Sequence, residues 1–192
     1  MLDSDGVYKA AAFELRRLFA PALLSLVVRD GHASLVVVLD NARESVTGDA
    51  VLEACSLIDG RELGRWEARV TVLPGERRVA LEVDLRAFVA EETLLFATFD
   101  GTSSFRLLSE PKDARLPTPR LTAARTAAGI AITSDVPVVD LFVRDPEDKA
   151  RFTDNFVTLP RGGTVTLRTD GAPAALEARS LAGVHKLSLP QR

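Results

Sequence analysis

Four of the five Asp-Gly dipeptides, Asp30-Gly31, Asp59-Gly60, Asp100-Gly101 and Asp170-Gly171, do most to limit what this chain can fold into. Asp-Gly supplies the positive φ angles of a tight hairpin turn at little steric cost. Each dipeptide follows a run that alternates apolar and polar residues or is dense in β-branched ones. The expectation is a set of antiparallel strands joined by short turns.

The strand signals fall into two groups. In the first, Leu23–Arg29 and Ser34–Asp40 flank Asp30-Gly31-His32, and Val51–Ile58 and Leu63–Val72 flank Asp59-Gly60-Arg61. Pro74-Gly75 then turns the chain into Arg78–Leu85, and Thr93–Phe99 and Ser103–Leu108 flank Asp100-Gly101. Short strands at this spacing predict an immunoglobulin-like β-sandwich over residues 22–108. Residues 109–119 hold three prolines and four charges and read as a stiff, extended linker. The second group predicts a smaller sandwich over residues 120–192: Leu121–Thr126, Ile130–Thr133, Val138–Val143, Phe152–Val157, Thr164–Thr169, Leu176–Leu181 and His185–Leu189. Its turns fall at Ala128-Gly129, Asp145-Pro146, Pro160–Gly163 and Asp170-Gly171.

The start of the chain obeys a different period. Val7, Tyr8, Ala11, Ala12, Leu15, Leu18 and Phe19 recur at helical spacing and make one apolar face. Ser4 or Asp5 can cap the first turn, Arg16 and Arg17 suit the last, and Pro21 stops the helix. No second helix follows to cover this face, so residues 1–21 read as a helix cut from something larger. The fold class is therefore all-β: two immunoglobulin-like antiparallel sandwiches in tandem, preceded by one short N-terminal helix.

Little in the sequence points to chemistry. The 192 residues are 46% hydrophobic and 27% charged, with a net charge of -3, so a polyanionic partner such as nucleic acid is not expected. No apolar run reaches the roughly 18 residues of a membrane span. No export signal is legible, which makes the cytoplasm the expected compartment. The lone cysteine, Cys55, lies in a strand run and reads as buried and inert. His32 and His185 lack a second ligand at metal spacing. Asp3-Ser4-Asp5-Gly6 opens like a calcium loop, but the closing glutamate position is Ala12. Asp145-Pro146-Glu147-Asp148 and Glu91-Glu92 read as solvated acidic loops, and Arg161-Gly162-Gly163 as a turn. Trp66 is the one candidate sugar platform; a place in the core or at a domain contact is the better reading. No catalytic, cofactor-binding or metal-binding residue is assigned.

Two stretches resemble a known family. Asp5-Gly6, Lys9-Ala10 and Leu15-Arg16-Arg17-Leu18-Phe19-Ala20-Pro21 are similar to the last helix of the catalytic barrel in β-mannosidases of glycoside hydrolase family 2, with the exit into the next domain. Phe152-Thr153-Asp154-Asn155-Phe156-Val157-Thr158-Leu159-Pro160-Arg161-Gly162-Gly163 resembles a block in the terminal immunoglobulin-like domain of those enzymes, with Val157 and Thr158 standing where the family usually has Phe and Asp. Ile132-Thr133-Ser134-Asp135 is similar as well. Read for itself, the block places Phe152, Phe156 and Leu159 around a bend that Asp154 and Asn155 can cap.

The resemblance implies a C-terminal piece of a glycosidase that cleaves terminal β-D-mannosides with retention. Such enzymes need two carboxyl groups about 5–5.5 Å apart on a rigid frame. In the resembled enzymes both lie in the barrel, the acid/base glutamate after an Asn, and this chain has no Asn-Glu dipeptide. The implied role is structural support of the catalytic barrel of the same parent chain, with self-association through the helix as a further option. The alternative is a stand-alone binding or adhesion protein, or a carbohydrate-binding module, of two immunoglobulin-like domains; a two-domain periplasmic chaperone is the weaker third reading.

Overall fold

A computed structural model describes residues 9–40, 44–147 and 149–189. Among them are one α-helix, α1 (Ala10–Leu18), and fourteen strands in four antiparallel sheets. The chain divides into two compact units, one of Arg16–Ser56 with Arg61–Arg115, the other of Met1–Leu15, Leu57–Gly60 and Leu116–Arg192.

The first unit is a three-on-four sandwich. β1 (Ala22–Arg29), β2 (His32–Leu39) and β5 (Arg77–Asp84) form one sheet in the order β1-β2-β5. β3 (Val46–Ser56), β4 (Glu62–Val72), β6 (Thr93–Phe99) and β7 (Thr102–Leu107) form the other, in the order β4-β3-β6-β7. Side chains alternate across a strand, so one set of each sheet meets its opposite number. Leu24, Leu26, Leu35, Val37, Leu39, Leu52, Leu95 and Phe99 form the shared core. Two of its turns follow the expectation closely. Asp30 and Gly31 have φ of 51° and 77°, Asp100 and Gly101 of 47° and 73°, so both are two-residue hairpin turns whose twist suits the flanking strands.

The second sandwich repeats this topology. β8 (Leu121–Thr126), β9 (Gly129–Ser134) and β12 (Thr164–Leu167) pair in the order β12-β9-β8. β10 (Val138–Arg144), β11 (Val157–Leu159), β13 (Ala175–Ser180) and β14 (Gly183–Ser188) pair in the order β11-β10-β13-β14. Each strand of the first sandwich has its counterpart seven strands later. The core here is Ile130, Ile132, Leu141, Val143, Leu167, Leu176, Ala178 and Leu187.

Three expectations need correction. Phe152–Val157 is not a strand: Phe152 makes a single bridge to Thr169, the chain bends, and pairing resumes only at Val157. The bend wins because Asn155 commits its side chain to backbone partners, as described below. Asp170-Gly171 is not a hairpin turn either. It lies on the crossing from β12 to β13, and Gly171 lacks a positive φ. A Cβ there would sit 2.6 Å from the Lys149 carbonyl oxygen, so close packing and not turn geometry demands glycine.

Residues 109–119 are not extended throughout, since Asp113 N–H closes a turn on Glu110 O (2.9 Å) and Arg115 N–H is held by Glu91 O (2.7 Å). The helix leaves open the apolar face that no second helix follows to cover, and seats a residue outside that stripe. Phe13 is its buried residue, at 4% exposure, whereas Leu15, Leu18 and the following Phe19 are 39%, 55% and 82% exposed. Val7 and Tyr8, placed in the helix by spacing, and the caps Ser4 and Asp5 lie outside the described residues.

Candidate functional site

The residues singled out in the sequence are dispersed and occupied with structural work. His32 heads β2, exposed, opposite Asp84. The Asp84 carboxylate is gripped by Arg86, whose Nε lies 2.9 Å from Oδ1 and whose Nη2 lies 2.5 Å from Oδ2. That grip, with the Arg86 N–H bond behind it, holds Asp84 well below the usual carboxylate range, and His32 adds a smaller attraction. His185 pairs with Ala178 in the other sandwich, its Nε2 3.4 Å from Ser180 Oγ, and burial lowers its basicity. Among the described residues no group of three or more His, Cys, Asp or Glu could hold a metal ion. No helix among them is long and apolar enough to cross a membrane.

Cys55 is buried, its Sγ 3.5 Å from Leu94 O, and burial pushes its thiol up to about 11. A thiol of that acidity is a poor nucleophile at neutral pH. Glu91-Glu92 is an anchor and not a catalytic pair: Glu91 O and the Glu92 carboxylate (2.5 Å) both hold Arg115. Asp145 is 2% exposed and accepts the N–H groups of Glu147 (3.0 Å) and Lys149 (3.1 Å), which makes it the organiser of its loop. Asp148 lies outside the described residues. Among the described residues the carboxyl groups with shifted acidity, Glu76, Asp84 and Glu177, move downward, each held by a neighbouring backbone N–H or arginine.

Trp66 is half-buried on the inward face of β4, packed on the first core and set edge-on to Phe88 at 6.1 Å. Its ring also covers Gly64. An open cleft of about 740 Å³ lies along the β8–β9 turn, lined by Arg125, Thr126, Gly129, Arg168, Thr169 and Gly171. Arg125 is already bonded to Pro173 O there.

The arrangement with the most specific geometry is the bend at 152–159. Asn155, 4% exposed, receives the Val143 N–H on Oδ1 and donates from Nδ2 to Val143 O, both at 2.7 Å. Its amide thus stands in for one residue of a neighbouring strand, satisfying a buried stretch of β10 where backbone pairing is interrupted. Asp154 Oδ1 accepts the Asn155 N–H at 2.8 Å and fixes the approach. Phe156 then takes a φ of 54°, a left-handed conformation that a bulky residue rarely adopts. Its ring stacks on Phe142 of β10 (4.9 Å, 28°) and meets Phe13 of α1 (6.0 Å, 43°). Sequence reasoning placed Phe156 at a bend but missed Phe13 and Phe142 as its partners. Phe13 falls off the helix's main apolar stripe, and Phe142 looks like one more strand residue.

No family model matches the chain, and no curated protein does. Solved structures do. A β-D-mannosidase from Dictyoglomus thermophilum matches over 99% of this chain and 24% of its own, with a TM-score of 0.75 at 14% identity. The exo-chitosanase CsxA from Amycolatopsis orientalis matches over 93% of this chain and 27% of its own, with a TM-score of 0.62 at 16% identity. At such identities the likeness is one of fold. The chain spans about a quarter of the length of each of these glycosidases.

Proposed function

We propose that this chain forms the non-catalytic accessory domains of a β-mannosidase-like glycoside hydrolase of family 2, whose barrel cleaves terminal β-D-mannosides with retention. The observation that carries the reading is the near-complete match of helix and both sandwiches to one quarter of a β-D-mannosidase. The sequence resemblance, stated from other evidence, names the same kind of enzyme. The role is support: the sandwiches brace the barrel and frame the approach to its pocket.

The helix supports this reading physically. A nine-residue helix is marginal alone in water. Here Phe13 is seated, while Ala11, Leu15, Leu18 and Phe19 leave a second apolar stripe open. A helix shared with a further domain has these two faces. The partner is accordingly the catalytic barrel of the same parent polypeptide.

The test is the coding DNA on the 5′ side of the first codon, together with an assay of the purified chain on nitrophenyl β-D-mannoside. An in-frame barrel containing Asn-Glu, and no turnover by the chain itself, is the expected result. A gene complete as given, or hydrolysis by the pure chain, overturns the proposal.

A further inference from the structure

Phe142 and Phe156 are large rings that the second sandwich does not use in its own core. That core is built from Leu141, Val143 and their partners on the inward face. Phe142 lies between those two on β10 and so points to the outer face of the sheet. The rest of that face is mostly charged: Arg144 and Arg179 pair with Glu177 at 2.9 and 2.8 Å, with the exposed Val184 opposite Arg179. A stacked aromatic pair at one end of a charged face has no folding role within the sheet.

Phe156 is nevertheless held there at a cost. A left-handed backbone at a bulky residue persists only where the surroundings over-determine it. The surroundings are the Asn155 amide clamped to Val143 on one side and the entry into β11, Val157 opposite Leu141, on the other. Together they turn the Phe156 ring out of the sandwich and onto Phe142, where Phe13 covers it. Phe13 in turn is the buried residue of α1.

We propose that the Asp154–Phe156 bend is a built receptor for α1, with Phe156 as the positioning residue and Phe13 as the side chain it receives. The second sandwich thus grips the segment that precedes the first. Resting on the reading of the parent above, this makes the terminal sandwich the part that clamps the last helix of the barrel.

Hydrogen exchange on the full chain tests the receptor. Phe156→Gly removes the ring and accepts the left-handed backbone without strain, so the sandwich keeps its fold. The amides of α1 should then exchange at least about tenfold faster, since a helix this short has little protection of its own, while those of β9, β10 and β12 keep theirs. Phe13→Ala should do the same, and the double variant should add almost nothing. Unchanged α1 exchange in Phe156→Gly overturns the proposal. So does unfolding of the second sandwich in that variant, because the ring would then serve the core. Additive effects of the two changes also overturn it. None of these readouts depends on the parent enzyme, so failure of the receptor and failure of the glycosidase reading are separately visible.

Discussion

Replacing Asn155 by alanine removes an amide that serves a buried strand. Val143 is 1% exposed, and both of its backbone groups bond to Asn155 at 2.7 Å. Each group left unsatisfied costs about 1–3 kcal/mol. Asn155→Ala should therefore destabilise the second sandwich by about 3–4 kcal/mol. A domain of this size has roughly 4–10 kcal/mol in hand, so the loss is a large share of the whole. Urea unfolding followed by far-ultraviolet circular dichroism, with hydrogen exchange assigning the transition to residues 138–189, measures it. At about 1 kcal/mol per molar urea for a small domain, the midpoint should fall by about 3 M. Asn155→Asp sharpens the test. It keeps the acceptor for the Val143 N–H but sets a carboxylate against Val143 O, so its folded-state pKa rises above the unfolded value. The protonated acid can donate where the amide did, so this variant should gain on the parent chain as pH falls and lose ground as pH rises through the folded pKa. A cost under about 1 kcal/mol for the alanine variant, or an aspartate variant with no such pH dependence, refutes the view of Asn155 as a surrogate strand.

Three further outcomes are expected. Gly101→Ala and Gly171→Ala should each cost about 1–2 kcal/mol, but for different reasons: Gly101 has a φ of 73° with open space around it, whereas Gly171 is crowded by Lys149 and Ala150; Asn should rescue position 101 and not 171, as thermal midpoints will show. Acid should weaken the fold, because Glu76, Asp84 and Glu177 bind protons less readily folded than unfolded, and so does His185; stability is whole above the unfolded values, falls as pH drops toward the folded ones, and a midpoint that rises on acidification contradicts the assignment. With its thiol pushed up to about 11, Cys55 should react with a thiol reagent at pH 8 on the order of a hundred-fold more slowly in the native chain than in urea; equal rates would place it at the surface.

The strands were legible because their signals are local. Alternation in β5 and β8 and the turn chemistry of Asp30-Gly31 and Asp100-Gly101 act within a few residues, and they fix pairing at Arg29–His32 and Phe99–Thr102. At 152–157 the bend is marked locally by Asp154 and Asn155, but the strand expectation for the same residues fails because the decisive bond links Asn155 to Val143, twelve residues away. Gly171 was misread because an Asp-Gly pair advertises a turn, while the crowding by Lys149 is invisible along the chain. The helix was legible in part: its spacing marks Leu15, Leu18 and Phe19 as a stripe with nothing following to cover it, and they are exposed, whereas the seating of Phe13 has no signal along the chain.

Hydrophobic periodicity records every surface a helix buries in its working context, without saying which partner each face meets. α1 has one apolar residue satisfied within the chain and a longer stripe satisfied by nothing described here. The two sandwiches show no such surplus in their cores, which close in three-on-four order without borrowing from outside. α1 thus carries three exposed apolar side chains in a row beside one seated ring, and the seated ring is the one that the left-handed Phe156 meets. On the reading proposed above, the open stripe is the face toward the barrel and Phe13 the contact toward the second sandwich, so one short helix would serve two bodies at once.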